Sequence, residues 1–122
     1  ASKAAFEAFW AVTLGSNVLY VNTGGTLPQI HGDEYYELRN ATSAVIDGPT
    51  YSLSASEGES YQRIGEDAEL AGSWSVAADT AATPGAVTYA GGDIVIFISE
   101  ISDATGTGAY VYEFVELYCA GS

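Results

Sequence analysis

The C-terminal third of the chain constrains the fold most. Residues 93–98 (DIVIFI) form an unbroken apolar run, the pattern of a strand buried on both faces. A loop at 102–108 follows, with two glycines and no large side chain. Residues 109–119 then alternate with period two. Tyr110, Tyr112, Phe114 and Tyr118 share one face with Glu116, while Val111, Val115, Leu117 and Cys119 share the other with Glu113. Two such runs around a glycine-bearing loop predict an antiparallel hairpin. Both faces of its second strand carry large side chains, so each needs cover, from the domain's own core or from a partner.

Upstream, short β-prone runs recur at 17–21, 34–38, 44–46, 50–53, 60–64 and 73–76, with Asp47-Gly48-Pro49 as a turn. The Ala/Thr-rich stretch 77–85, ending Thr83-Pro84-Gly85, reads as a surface loop. Strands at this spacing, with 14 glycines to turn the chain, predict an all-β fold, mainly an antiparallel sandwich or barrel. We expect it over residues 16–122, preceded by a helical arm at 1–15. In that arm Phe6, Phe9, Trp10 and Thr13 recur at helical spacing behind Ser2 as N-cap, and Lys3 and Glu7 form an i,i+4 pair. A helix of about 11 residues is marginal alone in water, so it must dock, on its own core or on a neighbouring subunit.

Sixteen acidic residues face three basic ones, a net charge of −13 in 122 residues. Such a charge opposes nucleic acid and anionic lipid, which are held by clustered Lys and Arg. An apolar content of 48 % marks a folding chain and not an acidic tail. The length suits one domain, and no apolar run approaches the roughly 18–20 residues of a membrane-spanning helix. The opening Ala1-Ser2-Lys3 carries no leader pattern, and the lone Cys119 offers no internal disulfide. The missing leader fits a trimmed secreted chain as well as a cytosolic product. Ala1, a small residue of the kind left after Met removal, and the lack of disulfide staples favour synthesis in a reducing cytoplasm, with a secreted origin as the alternative. Cys119 reads as a small apolar side chain of the last strand. The sequon Asn40-Ala41-Thr42 carries no weight without secretion.

The inventory for catalysis is thin. His31 is the one histidine, with Asp33 nearby, and no nucleophile elbow or phosphate-binding glycine motif accompanies it. One His and one Cys do not make a zinc site. Asp33, Glu34, Asp47, Glu57, Glu59, Glu66, Asp67 and Glu69 are hard oxygen ligands in loop-like regions, without EF-hand spacing. No cofactor is therefore expected, calcium being the one ion these loops would suit. We expect no enzymatic activity.

The aromatic helix, the aromatic strand face and the scarcity of cations suggest a module that joins an assembly. In its β-rich, Gly/Ala/Thr-rich character the whole chain resembles the capsid decoration (cement) proteins of tailed bacteriophages. That resemblance implies a non-enzymatic structural protein on the virion surface, often a homotrimer on a larger shell. It carries over no residue roles. From the residues themselves, the expected interface comprises Phe6, Phe9, Trp10, Tyr110, Tyr112, Phe114 and Tyr118, since aromatic anchors dominate interface energies. The alternative is a carbohydrate-binding or adhesin-like β module, with Tyr35, Tyr36, Tyr51, Tyr61 and Trp74 as stacking platforms. A secreted filament or pilin-like subunit is disfavoured, because the sequence shows no long apolar N-terminal helix.

Overall fold

The computed structural model describes residues 1–24, 26, 30, 34–52, 58–89, 92–93 and 95–119. Within them the chain is mostly antiparallel β, with one short N-terminal helix. Helix α1 spans Lys3–Trp10, and the strands are β1 (Leu38–Arg39), β2 (Val45–Asp47), β3 (Glu59–Arg63), β4 (Trp74–Ala78), β5 (Ile96–Ser102) and β6 (Phe114–Cys119). Strands β1 and β2 make a two-stranded ribbon, and the other four make a sheet in the order β4-β3-β5-β6, every neighbour antiparallel. Neither sheet closes on itself into a barrel.

The C-terminal hairpin forms, but its first strand begins at Ile96 and runs to Ser102. Asp93 and Val95 of the expected 93–98 run are exposed ahead of it, and Ile94 lies outside the described residues. Ile98 faces Leu117, Ile101 faces Val115 and Phe97 faces Tyr118, with a bulge between Ile98 and Glu100. β5 lies between β3 and β6 and is buried almost throughout, its polar Ser99, Glu100 and Ser102 as well as the apolar Phe97 and Ile98. One face of the sheet carries the core: Tyr61, Trp74, Ile98 and Ile101 pack with Ile30 and Ala68, and Tyr36, Leu38 and Val115 close over them.

Three expectations are corrected here. Residues 109–119 are not one strand. Ala109–Tyr112 is a turn of 3-10 helix, so Tyr110 and Tyr112 leave the strand, and only Phe114, Glu116 and Tyr118 keep the shared face. Gly106 and Gly108, at φ +124° and +77°, curl the chain into that turn. Residues 17–21 form no strand either. Tyr20 instead lays its ring on Phe6, centroids 5.3 Å apart, and donates its hydroxyl to Ala1 O. Nor do residues 50–52 form a strand, and Leu53, which completes that expected run, lies outside the described residues.

Helix α1 starts where expected, with Ser2 Oγ accepting from Ala5 N–H, but it ends at Trp10, short of Thr13. Ala11 turns left-handed (φ 54°), and the Glu7 carboxylate accepts from both Leu14 N–H and Lys3 Nζ at 2.8 Å. That satisfies the departing backbone. The Lys3 contact and the Leu14 hydrogen bond together hold the Glu7 carboxyl below its usual value.

The sheet buries charge on its core face. Arg63 is 1 % exposed, and all five of its N–H groups have acceptors. Two go to the Asp47 carboxylate at 2.9 and 3.0 Å, and the others to Gly65 O, Glu66 O and Ile98 O. The guanidinium carbon lies 5.2 Å from the Trp74 ring centroid and 5.4 Å from that of Phe97. Asp47 also accepts from Ile98 N–H, which ties the ribbon to β5.

Candidate functional site

Five of the seven side chains expected at an interface, Phe6, Phe9, Trp10, Tyr112 and Phe114, collect where α1 meets the start of β6. Phe6 is 5 % exposed and meets Phe114 edge-on at 5.5 Å. Trp10 meets the same Phe114 ring edge-on at 5.3 Å, and its Nε1–H donates to Tyr112 O at 3.0 Å. These tilted and perpendicular contacts are the arrangement aromatic quadrupoles favour. α1 is thus docked on its own chain.

A second tier of rings lies outside this packed one. Phe9 stacks on Tyr112, centroids 4.3 Å apart and planes 9° apart, and stays 38 % exposed. Tyr110 is 59 % exposed, and Val111 beside it is exposed too. The 3-10 turn that removes Tyr110 and Tyr112 from the strand is what lifts this tier outward. Phe6, Phe9, Trp10, Tyr112 and Phe114 are therefore linked by direct ring contacts, with Tyr110 at the rim. Tyr118 stands apart, packed on Phe97 at 5.5 Å, with Tyr89 on the other contact of that ring.

The opposite face of the sheet holds a feature that sequence reasoning missed. Glu100 and Glu116 lie directly across from each other on β5 and β6, and Glu100 is 1 % exposed. Glu100 accepts from Ser60 Oγ at 2.6 Å, Thr83 N–H at 2.9 Å and Thr83 Oγ1 at 3.2 Å. Glu116 accepts from Gly85 N–H at 2.6 Å and Ser99 Oγ at 2.7 Å. The two carboxylates so hold the Thr83-Pro84-Gly85 turn over the sheet. Burial pushes the Glu116 carboxyl above its ordinary value and the Glu100 charge adds to the rise, while the Ser99 and Gly85 donors pull against it. The signal in the sequence was an acid continuing an apolar strand, at Glu100.

An open cleft of about 330 Å³ lies between Tyr35 and Tyr51, lined also by Pro49, Thr50, Ser52 and Glu69. Of the five aromatic platforms expected for sugar stacking, Tyr61 and Trp74 are buried in the core and Tyr36 is half-buried against it. Their rings fill the core face of the sheet, which a small domain cannot leave empty. Tyr35 and Tyr51 remain exposed.

His31, Asp33 and Glu57 lie outside the described residues. Among the described residues, no group of three or more His, Cys, Asp or Glu side chains converges to hold a metal ion. No helix there is long and apolar enough to cross a membrane. Compared with known proteins, the chain matches no family model, no curated protein and no solved structure.

Proposed function

We propose that this protein is a non-enzymatic structural module that attaches to a larger assembly and reinforces it, as a capsid decoration protein does on a virion surface. It would be made in the cytoplasm and act as a homotrimer seated on a shell protein, binding neither nucleic acid nor membrane. The architecture that goes with this reading is a rudimentary sandwich, with the β1–β2 ribbon laid over the larger sheet.

The observation that carries the reading is the two-tier aromatic end. Phe6, Trp10 and Phe114 already hold α1 to the fold, so the exposure of Phe9, Tyr110 and Val111, with half-buried Tyr112 stacked under Phe9, serves no internal packing. Apolar rings grouped on a surface otherwise rich in acid are what an interface core needs. A chain at −13 repels its own copies, so self-association strengthens as salt screens that repulsion.

Light scattering after size exclusion, at low and high salt, tests this. The expected result is a species of about three times 12.7 kDa that grows with salt. Replacing Phe9 and Tyr110 together by Ala returns it to monomer with the far-UV circular dichroism unchanged, each anchor contributing about 1–2 kcal/mol. A double variant that assembles like the wild type overturns the assignment of these rings to the interface.

A further inference from the structure

We propose that the cleft between Tyr35 and Tyr51 receives an arginine side chain of a partner protein, the two phenol rings forming its walls and Glu69 its counter-charge. The inference rests on the assembly reading above and names the chemistry of one contact with the shell. It concerns residues that share nothing with the aromatic end.

The cleft is built before any ligand arrives. Tyr51 N–H donates to Ala68 O at 2.7 Å, fixing the segment that carries one ring to the turn that carries Glu69. Thr50 N–H donates to Tyr36 O at 2.9 Å, and Tyr36 N–H donates back to Thr50 Oγ1 at 2.9 Å, fixing the other ring's segment to the first. Gly48 permits that approach: at φ +99°, a Cβ there would lie 2.6 Å from Tyr36 O. Trp74 Nε1–H anchors Ala68 O from beneath at 2.9 Å. These hydrogen bonds fix the backbone behind all three walls, so binding need order only the side chains, which limits the affinity lost to ordering.

Charge selects the occupant. No cation lines the cleft among the described residues. Arg63, though close in sequence, has every N–H committed inside the fold, and Arg39 pairs with Glu37. Glu66, Asp67 and Glu69 share one exposed turn. An anion is repelled here. A neutral sugar could stack on the same rings, yet it would gain nothing from the carboxylate's charge or from the −13 of the whole chain. A guanidinium gains from all three: it is planar, weakly hydrated, stacks on aromatic faces and takes a carboxylate in a two-pronged bond.

The probe is the blocked tripeptide acetyl-Gly-Arg-Gly-amide, titrated into the full chain and followed by amide chemical shifts. Its citrulline counterpart serves as the uncharged isostere. The arginine peptide should shift the amides of Tyr35, Tyr51 and Glu69, with citrulline at least about fivefold weaker. Added salt should weaken binding severalfold. Glu69→Gln and Tyr51→Ala should each weaken it about threefold or more, while Tyr51→Phe, which keeps the ring, binds as wild type. Unchanged shifts elsewhere report that the variants remain folded. Equal binding of citrulline, wild-type affinity in both weakening variants, or the same amides moving with cellohexaose or chitohexaose instead of arginine each overturns the proposal. The probe needs no assembly, so this outcome stands apart from that of the Phe9/Tyr110 experiment.

Discussion

Both faces of the four-stranded sheet bury carboxylates, and they neutralise them by different means. On the core face Asp47 sits against Arg63, charge on charge, inside a shell of aromatic rings. On the other face Glu100 and Glu116 oppose each other across two strands, and no cation contacts either among the described residues. Hydroxyls and main-chain N–H groups do that work instead. The first arrangement is all-or-none, because each partner is intolerable without the other. The second is graded: several weak donors share the load, and a proton can replace one charge. A chain with three basic residues cannot place one at every buried acid. It spends Arg63 where the surroundings are most apolar.

The sharpest way to break the comparison is Asp47→Ala. It strands a buried guanidinium and removes the acceptor for Ile98 N–H, so we expect a loss of about 3–5 kcal/mol in urea denaturation. A loss below about 1 kcal/mol would mean that water reaches Arg63 and that the two faces do not differ in kind.

Glu116→Gln is the milder counterpart. Gln can accept from Gly85 N–H and turn its amide toward Ser99 Oγ, which is able to accept as well as donate. Stability at pH 7 should change by less than about 1 kcal/mol. The pH dependence should change more clearly. The folded carboxyl is raised above 4.5, so the native state holds this proton more tightly than the unfolded chain does. Its contribution is complete below about pH 4.5 and is lost as pH rises through the raised value. The wild type should therefore lose stability relative to Glu116→Gln on going from about pH 4.5 to 7, seen by denaturation at both ends. A constant difference between the two proteins would show that Glu116 is not strained by burial.

The smallest effect separates two tyrosines of the core face. Burial first, and then neighbouring acids, push both Tyr36 and Tyr61 up to about 12. What they contribute to stability is intact below pH 10 and lost between 10 and about 12, so phenolate absorbance should show a late step there. Near neutrality Tyr61→Phe should cost about 1 kcal/mol, since its hydroxyl donates to Glu59. Tyr36→Phe should cost nothing, because its buried hydroxyl has no partner among the described residues.

Much of the fold could be read from periodicity alone. The β5–β6 hairpin was legible because an apolar run and a strict alternation each leave little choice of face, and Ser2 marked the start of α1 by its chemistry. The failures have one cause, which is that local pattern does not know what will cover it. Residues 17–21 look like a strand, but Tyr20 spends its ring and its hydroxyl on the helix end. Residues 109–112 alternate like a strand, yet two left-handed glycines set a helical turn. Counting aromatics could not tell the sealed Tyr61 and Trp74 from the open Tyr35 and Tyr51. The clustering of Phe6, Phe9 and Trp10 with Tyr112 and Phe114 joins segments about a hundred residues apart, beyond the reach of any window.

That join has a consequence in time. Residues 3–10 are made about a hundred residues before Tyr112 and Phe114, which receive them. An eight-residue helix does not persist alone in water. While the ribosome works through the intervening hundred residues, Phe6 has only Tyr20 beside it from outside the helix and Phe9 and Trp10 lack their partner rings, and the helix latches only when the β5–β6 hairpin is released. Anything that stalls translation inside that hairpin leaves these rings uncovered on the nascent chain, open to whatever other chain they meet first.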